Sequence, residues 1–248
     1  MIQGTNRPIY FFSDAHIGRY PKEDPREIRK ERNLIQFFQK VMDEKAGLIV
    51  NGDLFDFWFE YKKVIPRRCF RLCYELNKLR KADIDVRIVV GNHDYWMRDF
   101  FQQEMGVTVY HDPISLTLHG LRTFIAHGDG FAQKDYKYRA LKRVIRHPFI
   151  IGTARLMHPD AGIWLVEKIS TWGDKKFADW ISPEEYAQSA HDKLKQGYDL
   201  VVFGHTHQPD LVRFHEGIYL NTGNWFHDFS YASLKDGKIE VLYWTDDS

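Results

Sequence analysis

The chain has 248 residues, 44% of them apolar and 28% charged, with a formal net charge of +1. That is enough apolar material for a substantial core in one large domain; it excludes a disordered chain, and the apolar stretches, broken by charges, fall short of the roughly 20 residues that span a bilayer. The charge is uneven, with ten Lys and Arg against five Asp and Glu between residues 131 and 180, a local +5 that calls for an anionic partner.

The opening Met1-Ile2-Gln3-Gly4 lacks the apolar centre of a signal peptide, so a cytoplasmic protein is expected. Ile9 to Phe12 reads as a short buried strand, and Glu31 to Glu44 as a helix with Leu34, Ile35, Phe38, Val41 and Met42 on one face. Leu48 to Asn51 is a second strand. A helix from about Pro66 to Arg80 carries Phe70, Cys73, Leu76 and Leu79 at helical spacing, with the proline in its first turn. Its two cysteines, Cys69 and Cys73, are the only ones in the chain, and they fit a buried helix face in a reducing compartment better than a disulfide or a metal pair. Val86 to Val90 gives a third strand, and strands alternating with helices imply a parallel sheet.

From Val107 onward strands follow one another, with a turn at His119-Gly120 and a strand from Leu121 to Ala126. Residues 131 to about 196 then read as several helices interrupting the sheet material. The last of them opens with Ser182-Pro183-Glu184-Glu185, which predicts a capping box with Ser182 at the N-cap. Asp199 to Phe203 resumes the sheet, and Glu216-Gly217 and Asp236-Gly237 read as hairpin turns. Asn221-Thr222-Gly223-Asn224-Trp225 reads as a loop that closes the sheet and lies near the last histidine pair.

Five motifs each follow an apolar, strand-like run: Asp14-Ala15-His16, Gly52-Asp53, Gly91-Asn92-His93-Asp94, Ala126-His127-Gly128-Asp129 and Gly204-His205-Thr206-His207. Any one alone reads as a turn or a surface histidine; five at successive strand ends read as one site. In a parallel sheet such loops gather at the carboxyl ends of the strands. Oxygen and imidazole donors without thiolate suit manganese, iron, zinc or cobalt better than calcium or structural zinc. Two such ions roughly 3.5–4 Å apart would clamp the attacking and leaving oxygens of an in-line displacement and lower the pKa of a bridging water. Asp53 is the carboxylate expected to bridge them.

These motifs resemble the five signature motifs of the calcineurin-like metallophosphoesterases and span nearly the whole chain. The resemblance implies an α/β (mixed α+β) fold, a four-layer αββα sandwich, here as a single domain over 1–248 with a helical lid inserted at about 131–196. It implies a first metal ion held by Asp14, His16, Asp53 and His207, and a second held by Asp53, Asn92, His127 and His205. It also implies that His93, oriented by Asp94, stands over the phosphate and assists the leaving group, with Asn92 beside it.

Gly52-Asp53-Leu54-Phe55-Asp56-Phe57-Trp58, His127-Gly128-Asp129 and the helical insertion further resemble the UDP-2,3-diacylglucosamine pyrophosphatases of lipid A synthesis. That branch releases UMP and 2,3-diacylglucosamine 1-phosphate by attack at the α-phosphorus. The expected cofactor is a pair of divalent ions, manganese first, and the expected partner a lipid nucleotide. Asp135, Lys175, Lys176 and His205 are the expected substrate contacts. The insertion combines Phe149, Ile150, Ile151, Leu156, Met157, Trp164, Leu165, Trp172 and Trp180 with its positive charge, which suits acyl chains and transient contact with the anionic inner face of the inner membrane. Taken singly, such apolar residues are more often helix core. The best-known members of the branch have arginine where this chain has His93, and a general-acid histidine equally serves an ordinary phosphodiesterase or phosphomonoesterase. A nuclease would need a basic groove with exposed stacking aromatics, and a non-catalytic scaffold would be free to lose ligands that this chain retains. Nothing in the sequence calls for nucleic acid or an obligate protein partner.

Overall fold

The computed structural model describes residues 6–132, 136–165, 168 and 182–245. Within them the chain runs β1 (Ile9–Phe12), α1 (Pro25–Asp43), β2 (Gly47–Asn51), a 3-10 turn (Arg67–Cys69), α2 (Phe70–Lys81), β3 (Val86–Val89), α3 (Phe100–Met105), β4 (Thr108–Tyr110), β5 (Ile114–Leu118) and β6 (Leu121–Ile125). Then follow α4 (Tyr136–Ile145), α5 (Pro148–Leu156), a helical stretch over 159–165, α6 (Pro183–Leu194), β7 (Leu200–Phe203), β8 (Pro209–Arg213), β9 (Ile218–Thr222), β10 (Ser230–Lys235) and β11 (Lys238–Tyr243).

Two sheets form. One has the order β11-β10-β1-β2-β3-β4 and the other β5-β6-β7-β9-β8. β1 to β4 are parallel, as the alternation of strands and helices predicts, and so are β6, β7 and β9. Alternation along each strand sorts side chains into layers. Ile9, Phe11, Ile49 and Val89 of the first sheet meet Ile125, Leu200, Val202 and Leu220 of the second. Tyr10, Phe12, Leu48, Val50 and Ile88 face the other way, onto α1, α2 and α3. Phe124, Val201, Phe203 and Tyr219 pack on Tyr186, Ala190 and Leu194 of α6. The order is therefore helices, sheet, sheet, helix, the expected four-layer sandwich. Its turns follow local chemistry: His119-Gly120 and Asp236-Gly237 are two-residue hairpin loops with φ of 45°, 81°, 51° and 74°, both central residues left-handed as a type I′ turn requires.

Three helix details differ from expectation. α1 begins at Pro25, behind an Asp24 cap whose carboxylate accepts from Arg26 N, and not at Glu31, because the core-facing positions of its first turns are Glu27 and Lys30, a buried ion pair without apolar signal. Phe37 fills its core face, while Ile35 is only half-buried. On α2 the buried stripe is Cys69, Leu72, Cys73, Leu76 and Leu79; Phe70 lies off it and is 68% exposed. Both cysteines are free and buried. At α6, Pro183 takes the first helical position, but Ser182 Oγ donates to Glu184 Oε2 at 2.7 Å and makes no side-chain bond to the helix amides, so the capping box does not form.

Between β6 and β7, α5 and residue Ile163 pack on an aromatic floor of Phe57, Phe59, Tyr61 and Trp96. Phe149, Leu156 and Trp164 are not core: they are 70%, 87% and 60% exposed. No helix among the described residues is long and apolar enough to cross a membrane.

Candidate metal centre

Asp14, Asp53, Asn92, His127 and His205 each lie two or three residues beyond the ends of the parallel strands β1, β2, β3, β6 and β7, so both sheets deliver ligands to one edge. The backbone there is unusual. Asp14, His16, Asp53, His205 and His207 have φ of 53°, 44°, 52°, 67° and 58°, in the left-handed region that side chains other than glycine seldom adopt. Each such residue costs on the order of 1–3 kcal/mol, about what one buried Leu or Phe returns, and the sandwich core offsets it. The motif glycines make room. A Cβ on Gly91 would collide with the Asp53 carboxylate, and one on Gly204 would lie 2.5 Å from Ser13 Oγ and 2.8 Å from Asp14 Oδ2.

Potential ligand atoms converge in three overlapping groups, each within 4.8 Å: Asp14, His16 and His207; His16, Asp53 and His93; and Asp53, His127 and His205. Asp53 is the member common to the last two. Its Oδ2 lies 3.2 Å from His127 Nε2 and 3.8 Å from His16 Nε2, while Oδ1 accepts from His93 N at 2.9 Å. Asp14 Oδ1 lies 3.2 Å from His207 Nε2 and 3.8 Å from His16 Nε2, and Asp14 Oδ2 accepts from His205 N at 3.0 Å.

Whether these groups fit divalent cations is tested by what they leave unsatisfied. Asp14 Oδ1, His16 Nε2, Asn92 Oδ1 and His127 Nε2 are buried without a hydrogen-bond partner. Orphaned polar atoms are costly in a native interior unless something absent from the protein satisfies them. Unsatisfied oxygen and imidazole nitrogen donors gathered at one edge of the sheets are what divalent cations of the transition series take, so the residues fit.

The electrostatics agree. Burial, which disfavours charge, is outweighed at Asp14 by His127 and His207, which hold its carboxyl at about 2. Burial likewise opposes ionisation of Asp53, but His127 and His93 keep it well below the usual range. His127, against its own desolvation, is raised to about 10 by Asp53 and Asp14. His205 is lowered to about 4, first by burial and then by His127.

Other residues hold the ligands in place, among them Asn51 and Asp56, to which the sequence reading gave no role. His127 Nδ1 is 2.9 Å from the Asn51 carbonyl and His93 Nδ1 is 2.7 Å from the Asp56 carbonyl, so in both rings Nε2 is the atom left to face the site. The Asp56 carboxylate lies 3.2 Å from His16 Nδ1, off the hydrogen-bond axis but near enough to pair. Asp94 accepts from Gly91 N at 2.7 Å and Leu54 N at 2.8 Å, stapling the second motif to the third. The Asp56 carbonyl at His93 Nδ1 is thus a partner of the ring that the motifs did not anticipate.

The buried Lys30 donates to the His16 carbonyl, and Glu27, paired with Lys30 at 2.9 Å, accepts from Gly18 N at 2.5 Å and Tyr20 N at 3.2 Å. The loop at Asn221–Trp225 does more than close the sheet. Asn221 Nδ2 donates to Gly204 O at 2.8 Å, Asn224 Nδ2 to His207 O at 2.9 Å, and Trp225 N to Asp14 O at 3.1 Å. Of the expected substrate contacts, His205 is in the centre, whereas Asp135, Lys175 and Lys176, like Trp172 and Trp180, lie outside the described residues.

Comparison with known proteins gives relatives along nearly the whole chain. The UDP-2,3-diacylglucosamine hydrolase of Porphyromonas gingivalis is 29% identical over 94% of this chain and 96% of the relative. Enzymes of the same name from Hahella chejuensis and Vibrio vulnificus are 24% and 25% identical, over 95% and 87% of this chain and 96% and 89% of theirs. The description "calcineurin-like phosphoesterase" matches residues 7–209, a span that takes in all five motifs, and the chain belongs to that family.

Proposed function

We propose that this protein is a divalent-metal-dependent hydrolase that cleaves the pyrophosphate bond of UDP-2,3-diacylglucosamine, releasing UMP and 2,3-diacylglucosamine 1-phosphate. The observation that carries the reading is similarity to hydrolases of that name along almost the full length of both chains. It is supported by a site in which every expected ligand position holds a competent donor.

One ion would take Asp14, His16, Asp53 and His207, and the other Asp53, Asn92, His127 and His205, with manganese the first choice and iron, zinc or cobalt compatible with the same donors. Two bound cations would polarise the phosphoryl oxygens and lower the pKa of a water. The chain's own residues supply the rest. His93, with Nδ1–H donating to the Asp56 carbonyl, presents Nε2 4.0 Å from Asp53 Oδ2, and when the ring is protonated at both nitrogens it would give the Nε2 proton to the departing phosphate oxygen and keep the one on Nδ1. Asp94 fixes the two loops on which Asp53 and His93 stand.

The helices between β6 and β7 act as a lid over the site. Their exposed Phe149, Leu156 and Trp164 would meet acyl chains or a bilayer, and their basic residues the anionic head groups, on a cytoplasmic protein docking peripherally on the membrane. Asp135, Lys175 and Lys176 belong to the same proposed lid as substrate contacts.

The test is UMP release by the manganese-loaded protein from UDP-2,3-diacylglucosamine and from a deacylated UDP-glucosamine analogue. Strong preference for the acylated substrate is expected. Equal or negligible turnover of both, by protein that still hydrolyses a generic phosphodiester, would overturn the substrate while keeping the metal centre.

A further inference from the structure

Lys142, Arg143 and Arg146 follow Arg139 by three, four and seven residues, the first three cations on α4 and Arg146 just past its end, so the four share one side of the helix. All four line a cavity of about 470 Å³ walled also by the end of β3, the β4–β5 connection and the residues from Ala126 to Phe131. His127, whose Nε2 lies 3.2 Å from Asp53 Oδ2, also borders this cavity, so the cavity adjoins the metal centre at that residue.

Part of this charge has a structural use. Lys142 Nζ lies 2.5 Å and Arg146 3.2 Å from the same oxygen, Asp129 Oδ2. Lys142 also donates to the Asp129 carbonyl at 2.9 Å, and Arg139 to the Gly130 and Ala132 carbonyls at 3.2 and 2.7 Å. These bonds clamp α4 onto the loop that follows His127. Among the described residues, the carboxylates lining the cavity are Asp129, buried and already shared by two cations, and the exposed Asp112. Four cations against two carboxylates, gathered on one wall of a concave space, favour an anion there. The Arg146 guanidinium carbon also sits 3.7 Å from the centroid of the Tyr95 ring, which holds the group in place, and planar guanidiniums match phosphate oxygens in pairs.

We infer that this cavity is a second phosphoryl subsite, in which the α4 cations hold the non-reacting phosphate of a pyrophosphate ester while the other phosphate lies at the metal centre. The inference rests on the pyrophosphatase reading above and adds where the second phosphate goes and what selects a pyrophosphate over a simple diester.

The test compares kcat/KM on a UDP-sugar pyrophosphate with kcat/KM on bis(p-nitrophenyl) phosphate, in the full-length metal-loaded protein and in Arg143→Glu, Arg143→Lys and Arg146→Gln. Arg143 is exposed, so its variants keep the fold even if loss of the Arg146 pair with Asp129 disturbs it. The ratio of the two constants is expected to fall at least about tenfold in Arg143→Glu and Arg146→Gln, the scale of a lost charge-assisted bond, and to recover in Arg143→Lys. A ratio within twofold of the unaltered protein in Arg143→Glu would overturn the subsite and leave the cations as a clamp only. If the unaltered protein cleaves the diester and no pyrophosphate, the proposed function fails separately, and the subsite is read from UDP as a competitor of diester hydrolysis at fixed free manganese. An inhibition constant about tenfold weaker in Arg143→Glu then supports it, and an unchanged constant overturns it.

Discussion

His127 Nε2 lies 3.2 Å from Asp53 Oδ2, and both side chains are closed to solvent. Burial alone would neutralise the imidazole, yet Asp53 and Asp14 raise it to about 10, so without metal it carries a proton at neutral pH. That proton occupies the electrostatic role of a cation. Metal binding needs neutral imidazole, so loading the site should release about one proton from His127. Calorimetric titration at neutral pH in buffers of different ionisation enthalpy reads this directly, and a binding heat independent of buffer would contradict it.

The same pair sets a pH dependence of folding. A folded pKa of about 10 stands above the ordinary 6.5, so His127 contributes stability that is fully present below 6.5 and lost as pH rises through about 10. Thermal melts in chelator should therefore decline along that alkaline limb. Metal-loaded protein, with its imidazole neutral throughout, should lack the decline attributable to His127. Parallel limbs with and without metal would refute the assignment.

Asp53→Asn keeps the shape of the side chain and removes its charge, and asparagine tolerates the left-handed backbone at φ 52° better than alanine. The variant should fold, lose at least one of the two ions and lose more than about a hundredfold in turnover, beyond the range of changes in outer-sphere partners. Metal analysis of the purified variant alongside its kinetics decides the point; normal metal content with normal activity would remove Asp53 from the bridging position.

Asp56 is the residue the motifs did not announce. It pairs with His16 through its carboxylate and with His93 through its carbonyl, so Asp56→Asn should disturb the first contact and spare the second. Metal affinity is expected to drop about 10–100-fold, with turnover largely recovered at saturating metal. A variant that binds metal normally but turns over slowly would instead assign Asp56 to His93.

What the sequence made legible follows from periodicity and from side-chain chemistry. The parallel order of β1 to β4, and Asp53 as the carboxylate on which His16, His93 and His127 converge, come from apolar runs that stop at donor residues. The support for those donors was not legible, because it uses backbone carbonyls such as those of Asn51 and Asp56, which every residue has. Nor was the start of α1, where two charges face inward and the apolar pattern is blank. The exposed Phe149, Leu156 and Trp164 defeat the same rule from the other side, since helical spacing of apolar residues identifies a face but not what covers it.

Lys30 and Glu27, both closed to solvent, tie α1 to the loop carrying His16. Removing one partner leaves the other charge buried, so Lys30→Met should cost about 3–5 kcal/mol of stability. The double change with Glu27→Gln removes the stranded charge and should recover part of that loss. It cannot restore the bond to the His16 carbonyl, so metal affinity should stay weakened in the double variant even as its melting temperature rises. Denaturant melts and metal titrations on the three proteins separate the two effects. If affinity recovers in step with stability, the pair is structural only; if it stays low, the buried lysine positions His16.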